Sequence, residues 1–294
     1  MGVNISRHDS PTTDPAARVA ELAEDAQRAV EKLPEEPRGF GDAFRLALHA
    51  AQGRSLVDPS AETVETWQSY VTAMQVGSAL FAAAHAEDGT VTGWIAGGVR
   101  TIPATGPQPY ADPGTWLDAF WLAVICRDQD RATELCDIPL SLLRASGAEC
   151  HDCLYHWVEA LQTYWKGDPD LALDDRLAAA RQCEATTGPE AHAVRAPHVP
   201  RPRVDLFHHY VHKDAASFTD ALVTALEGHR DYHAASPERA GQVGGLVPTG
   251  VLGTVCLAHE AGMAVEVASD YLPVHLVRGS WLGRKAGLPG RQRR

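Results

Sequence analysis

The chain has 294 residues and a mass of 31.6 kDa, which suits one large domain or two ordinary ones. With 45% apolar and 22% charged residues, its composition is that of a folded globular protein, and this excludes a disordered or collagen-like chain. The 38 acidic residues outnumber the 26 basic ones, giving a formal net charge of -12. This charge repels nucleic-acid backbones and anionic membranes, so a cationic partner is the better prediction.

Cysteine usage and the N-terminal sequence bear on the cellular compartment. The six cysteines lie at positions 126, 136, 150, 153, 183 and 256, and four of them fall in apolar or alanine-rich stretches, where a free thiol behaves as a small hydrophobe. The first 30 residues lack the apolar core of a secretory signal. The longest uncharged helical stretch, residues 71–86, is shorter than the roughly 20 apolar residues of a membrane span. We therefore predict a cytoplasmic protein without a membrane segment.

Two signals predict helices. Asp-Pro dipeptides begin at residues 14, 58, 112 and 168, and each predicts a helix start, because Asp caps free amides and Pro at the first helical position loses no hydrogen bond. Apolar residues at spacings of three and four predict a helix over 59–86, and apolar residues on most sides of 113–127 predict a central core helix. Further helices are predicted over 40–52, 129–137, 139–146, 154–165, 170–184, 203–213, 218–226 and 247–262.

One segment has a different periodicity. Two β-capable runs, 91–96 and 99–102, surround Gly97-Gly98 and predict a hairpin, and the four prolines of 103–113 predict an ordered loop after it. The predicted fold is therefore all-α, a multi-helix bundle or irregular stacked helical hairpins with one small β-hairpin near 91–102. Its predicted parts are a flexible N-terminus (1–13), a single helical domain (14–282) and a flexible basic tail (283–294).

Two clusters of residues have metal-ligand chemistry. Cys150 and Cys153 with His156 offer a Cys-x-x-Cys spacing, but a structural zinc site normally needs a second ligand pair, so we interpret them as incidental thiols at a helix start. His208 and His212 lie one helical turn apart and could share a metal or flank a substrate. With 14 histidines in the chain and no H-E-x-x-H motif, a histidine-rich helix face is the favoured interpretation.

The sequence contains no nucleophile elbow, phosphate-binding loop or dinucleotide fingerprint. We accordingly predict a protein that is not an enzyme and has no cofactor or metal. Because acid and base groups are brought together in three dimensions, missing motifs do not by themselves exclude catalysis.

Six stretches of the chain are similar to one known family. The longest is ETWQSYVTAMQVGSALF at 65–81, and the others are 101–112, 115–123, 138–147, 157–165 and 269–273. Together they resemble the actinobacterial Immunity 49 family of polymorphic toxin immunity proteins. The similarity spans most of 40–280, and none of the stretches is a chemical motif. The resemblance implies an all-helical cytoplasmic protein that binds a toxin domain and neutralises it by stoichiometric occlusion. An acidic surface suits a basic toxin, because opposite charges accelerate association.

No functional residue transfers from the resemblance, so partner contacts are predicted from chemistry. Tyr110 with Asp112 and Asp270 with Tyr271 each combine an aromatic anchor with a carboxylate in a loop. The alternative is that the tyrosines pack on the bundle and Asp112 caps the helix that follows. Two other functions stay open: a helical enzyme with a polar or metal-dependent site, and a helical-repeat adaptor with a groove formed by 113–184. The sequence leaves the toxin and the oligomeric state open.

Overall fold

The computed structural model describes residues 3–167, 173–182 and 200–282. This part of the chain forms thirteen α-helices and two sheets of two strands each, which confirms the predicted all-α fold. The helices are α1 (Pro15–Lys32), α2 (Phe40–Gly53), α3 (Val64–His85), α4 (Pro113–Cys126), α5 (Gln129–Cys136), α6 (Leu140–Ala145), α7 (Asp152–Lys166), α8 (Leu173–Arg181), α9 (Pro200–Val211), α10 (Ala215–Ala234), α11 (Pro237–Ala240), α12 (Thr249–Glu260) and α13 (Val274–Val277). The strands are β1 (Val3–Ile5), β2 (Thr90–Ile95), β3 (Gly98–Pro103) and β4 (Val267–Ser269).

Two of the four Asp-Pro dipeptides begin helices as predicted. The Asp14 carboxylate accepts a hydrogen bond from the amide of Ala17 at the start of α1, and Asp112 accepts one from Thr115 at the start of α4. The prediction is wrong for Asp58, because α3 begins only at Val64. A turn follows Asp58, and the Asp58 carboxylate accepts hydrogen bonds from amides further along the chain. The fourth dipeptide, at 168–169, lies outside the described residues.

The central helix is α4, as its apolar residues predict. Trp116, Phe120 and Trp121 are buried, and the helix contacts α3, α5, α7 and α12. The ring of Trp121 packs against Phe207 of α9, with the ring centroids 6.1 Å apart, and Trp157 of α7 closes the same cluster. A single core therefore joins α4 to the later helices. Along the chain, neighbouring helices pack on one another, from α1 to α3 and again from α7 to α10.

The predicted hairpin is confirmed. Strands β2 and β3 pair antiparallel from Thr90↔Pro103 to Ile95↔Gly98. The turn falls at Ala96-Gly97, which have φ values of 50° and 79°, one residue before the predicted Gly97-Gly98. These left-handed conformations belong to the tight turns that match strand twist. The Gln75 side chain of α3 accepts a hydrogen bond from the amide of Ala96 at 3.0 Å, and this contact ties the hairpin tip to the helices.

Residues 3–8 contact distant parts of the chain. Strand β1 pairs in parallel with β4, and residues 3–5 lie opposite residues 267–269. Just beyond it, the Arg7 guanidinium donates to the Ser55 hydroxyl at 2.8 Å, and His8 is buried. The sequence did not indicate this pairing, because β1 is three residues long and its partner lies near the other end of the chain. The flexibility of residues 1–13 stays a prediction. The predicted basic tail lies outside the described residues.

Candidate functional site

Two of the four predicted partner-contact residues have buried side chains. Asp112 is 3% exposed and caps α4, its Oδ1 lying 2.8 Å from the amide of Thr115. Tyr271 is fully buried, and its hydroxyl lies 2.7 Å from Nδ1 of His8 and 3.1 Å from the His8 amide. Both side chains make these contacts inside the protein, and partner contact by either residue stays a prediction. The contact of Asp112 is the one expected of a helix cap.

The other two predicted contact residues are more accessible. Asp270 is exposed in the loop after β4. Tyr110 is partly buried, and its ring lies on Gly41 of α2, where an added Cβ would stand 2.6 Å from Cβ of Tyr110. Its hydroxyl donates to the carbonyl of Pro37, and burial raises its pKa. Tyr110 therefore presents only an outer edge to solvent, while the carboxylate of Asp270 is free of the core.

Within the described part of the chain, Cys150, Cys153 and His156 do not come together as a group of metal ligands. Cys153 is buried and disulfide-bonded, so it has no thiolate to offer, a state that the sequence interpretation did not predict. His156 lies on α7 beside Glu159, with 3.9 Å between its Nδ1 and the carboxylate. Cys136 and Cys256 are buried free thiols, and burial raises their pKa values to about 12 and about 11. They stay protonated and act as small hydrophobes, as predicted.

An open depression of about 410 Å³ lies at the C-terminal end of α4 and is lined by residues 126–130. Its cationic side chain, Arg127, is engaged elsewhere: the guanidinium donates to the carbonyls of Ile125, Leu276 and Val277. It also pairs with Glu260 at 2.6 Å. The depression therefore offers no available guanidinium for an anionic substrate.

One cluster among the described residues has the composition of a metal site. His208 and His212 of α9 stand beside Asp174 of α8, and their possible ligand atoms lie within 4.8 Å of one another. The sequence indicated the histidine pair but gave no reason to expect Asp174 next to it.

The outer face of the hairpin is an exposed apolar surface that the sequence reasoning missed. Trp94 and Val99 lie directly opposite each other on β2 and β3 and are 54% and 66% exposed. Beside them, the hydroxyls of Thr92 and Thr101 lie 3.0 Å apart. A single exposed apolar residue is ordinary, whereas a cross-strand pair that includes a tryptophan is typical of a binding surface. The signal was available, since strand alternation sends Trp94 outward once Ile95 is placed in the core.

The core contacts of the inner face hold the hairpin face in place. On the inner face, Ile95 and Ile102 are each 1% exposed, and both belong to the main core. Glu87 and Asp88 are exposed just ahead of β2, at the base of the hairpin, whereas Trp94 and Val99 lie near its turn. We call Thr92, Trp94, Val99 and Thr101 the hairpin face.

These features define a mainly helical protein with one β-hairpin on its core. No helix in the described part of the chain is both long and apolar enough to cross a membrane. The model of the family Immunity protein 49 matches residues 58–276, about three quarters of the chain, and the protein belongs to this family. All six stretches that carried the sequence resemblance fall within the matched region. No curated protein and no solved structure matches the chain.

Proposed function

We propose that this protein binds a cognate toxin domain of a bacterial polymorphic toxin system and neutralises it by stoichiometric occlusion, without turnover. The family match over residues 58–276 carries this proposal. The chemistry of the described residues is consistent with it, because the buried thiols are protonated and Arg127 is held by backbone carbonyls. A cytoplasmic location, where such a toxin would act, stays a prediction.

The hairpin face is the surface that we assign to the toxin. Trp94 and Val99 provide an apolar centre, and tryptophan is among the residues that contribute most to interface affinity. The hairpin is already ordered by its core contacts and by the hydrogen bond between Ala96 and Gln75, so binding does not have to order it. Asp270 and the outer edge of Tyr110 remain proposed secondary contacts.

The charge of the protein supports a basic toxin. With a formal net charge of -12, the chain attracts a cationic domain at long range, and Glu87 and Asp88 expose carboxylates at the base of the hairpin. Opposite charges raise the association rate more than the final affinity, and salt screens this effect. We therefore expect the association rate with the toxin to fall as ionic strength rises.

Co-expression with the toxin domain encoded next to this protein tests the function. Cells that produce the toxin should survive when this protein is present, and the two chains should co-purify at equal stoichiometry. If the cells die and no complex forms with neighbouring or related toxins, the immunity function is contradicted.

The Trp94→Ala variant tests the interface within the same assay. We expect it to weaken toxin binding by about 10- to 100-fold, since removing a central aromatic commonly costs about 2 kcal/mol or more. Val57→Ala is the matched control, because Val57 is another exposed apolar residue, 42% exposed, and it lies between α2 and α3. Its affinity should match that of the unmodified protein. If the Trp94→Ala protein still binds the toxin with unchanged affinity, the immunity function stands but the interface lies elsewhere.

A further inference from the structure

Two helices that flank residues 183–199 bring three metal-binding side chains together. His208 and His212 stand on α9, and their ring centroids are 4.3 Å apart. Nε2 of His212 lies 2.9 Å from Oδ1 of Asp174, in the first turn of α8. One ligand atom from each of the three side chains falls within 4.8 Å of the other two. A single cation bound between them would reach all three with small adjustments of the side chains.

The packing of α9 explains why both histidines face α8. Phe207 and Tyr210 turn towards α7, where both rings contact the Tyr164 ring, with centroids 5.1 and 5.8 Å away. The i, i+4 spacing then places His208 and His212 together on the adjoining side of α9. The cluster therefore follows from how the core orients this helix.

Ion pairs hold α8 in place around the cluster. Arg181 of α8 pairs with Asp205 of α9 at 2.6 Å, and Arg176 of α8 pairs with Glu159 of α7 at 2.9 Å. Each guanidinium is thus matched to its own carboxylate, and Asp174 is left to the histidines. The two helices are fixed on both flanks of the cluster, which limits the cost of organising it for a ligand.

One nitrogen in the cluster has no partner within the described part of the chain. Nδ1 of His208 is buried and makes no hydrogen bond there. A buried polar atom that lacks a hydrogen bond is destabilising, and native proteins usually satisfy it with protein, water or an ion. A metal bound directly to this ring, or a ligand bound beside it, would account for the position of His208.

We infer that Asp174, His208 and His212 form a binding site for a late first-row divalent cation, with Zn²⁺ as the probe of choice. Two imidazoles and one carboxylate suit Zn²⁺, Co²⁺ or Ni²⁺, whereas Mg²⁺ and Ca²⁺ prefer sites made of oxygen ligands. Three protein ligands leave one tetrahedral position for water. The bound ion would crosslink α8 to α9 and stabilise the fold independently of any toxin.

The test uses the full-length protein without a histidine tag, stripped with a chelator. Calorimetric titration should show one Zn²⁺ per chain, Co²⁺ should give the visible absorption of a tetrahedral site, and Zn²⁺ should raise the thermal midpoint. His208→Gln, His212→Ala and Asp174→Asn should each weaken Zn²⁺ binding on the order of 10- to 100-fold. The matched control is His209→Ala, because His209 is the adjacent histidine and lies outside the cluster.

The outcomes separate a metal site from a plain ion pair between His212 and Asp174. Site-specific binding requires that all three variants lose affinity and the His209→Ala protein keeps it. Absence of Zn²⁺ binding, or binding that survives His208→Gln, would overturn the inference. Circular dichroism of each stripped variant verifies that it is folded, which is expected since Asp174 and His212 are exposed.

Discussion

Gly253 of α12 lies against the indole ring of Trp121 of α4, so closely that an added Cβ would stand 2.4 Å from Cε3 of the ring. The ring cannot easily withdraw, because it packs between Phe120 and the aromatic side chains of α7 and α9. The two helices therefore meet backbone against ring, and the absence of a side chain at Gly253 permits the contact.

Replacing this glycine should destabilise the protein even though alanine favours a helix. We expect Gly253→Ala to lower the free energy of unfolding by about 1–3 kcal/mol through overpacking. Gly228 of α10 is the control, because it is exposed and has no atom within 4 Å of an added Cβ. Gly228→Ala should raise stability by about 0.5–1 kcal/mol. Urea unfolding measures both free energies. If Gly253→Ala and Gly228→Ala change the free energy of unfolding in the same direction, the packing argument is contradicted.

Local signals explain how much of the fold the sequence could predict. The burial of α4 was predictable because apolar residues cover most of its sides, and the hairpin was predictable because a glycine turn separates two β-capable runs. The contact between Gly253 and Trp121 was not, because no local pattern specifies which helix packs on which. The pairing of β1 with β4 could not be predicted for the same reason.

The candidate sites followed the same rule. The capping role of Asp112 could be read from the proline beside it, whereas the burial of Tyr271 depends on His8 at the far end of the chain. The pair His208 and His212 was visible as a helical spacing, but Asp174 joins it only through the packing of α8 on α9. Groupings of side chains within one helix could be predicted from the sequence, whereas contacts between separate elements could not.

Asp58 stabilises the start of α3 from outside the helix. Its carboxylate accepts hydrogen bonds from the amides of Glu62 and Thr63 and from the hydroxyls of Thr63 and Thr66. The Asp-Pro dipeptide predicted a helix start at residue 58, whereas Asp58 lies in the turn ahead of Thr63, the residue that precedes α3. The turn between Asp58 and the helix includes Ala61 in a left-handed conformation, with φ of 57°.

These contacts give Asp58 a predictable pH dependence. Burial alone would raise its pKa, but the hydrogen bonds from Thr66, Thr63 and Glu62 outweigh it and lower the pKa from 3.8 to about 2. The carboxylate thus contributes about 2 kcal/mol that is present above about pH 5 and is lost as the pH falls towards 2. Asp58→Asn should be destabilised at pH 7, and the difference from the unmodified protein should narrow by pH 3.

Chemical denaturation at several pH values measures this effect. The control is Asp14→Asn, since Asp14 is an exposed cap of α1 and asparagine caps helices about as well, so its stability should change by less than about 0.5 kcal/mol. A difference between Asp58→Asn and the unmodified protein that stays constant from pH 7 to pH 3 would contradict the assignment.

Arg127 joins the end of α4 to α13. It donates to the carbonyls of Leu276 and Val277 at 2.7 Å, and these residues are buried. Arg127→Ala would leave the carbonyls without these donors, and we expect a loss of about 2–4 kcal/mol. Glu260→Gln removes only the partly exposed ion pair and should cost less than about 1 kcal/mol. Thermal and urea unfolding measure both variants. If Arg127→Ala and Glu260→Gln lose the same amount of stability, the ion pair, not the carbonyl contacts, carries the stabilisation.

A buried histidine stack should make the protein sensitive to mild acid. His8 stacks on His233 at 5.3 Å, and His233 lies 4.6 Å from His229. Burial lowers the pKa values of His8 and His233 below 6.5, and the nearby charges of Arg7, Arg203 and Arg239 act in the same direction, while Asp9 opposes them at His8.

Because the unfolded chain binds protons at these histidines more readily than the folded chain does, stability is complete above the unfolded pKa of about 6.5 and is lost as the pH falls below it. The free energy of unfolding should therefore decrease from pH 8 to pH 5.5, and His8→Asn should reduce that slope. His85→Asn, a change at an exposed histidine of α3, should leave the slope unchanged. Urea unfolding across this range gives the slope directly, and a slope that His8→Asn does not alter would remove the stack as its source.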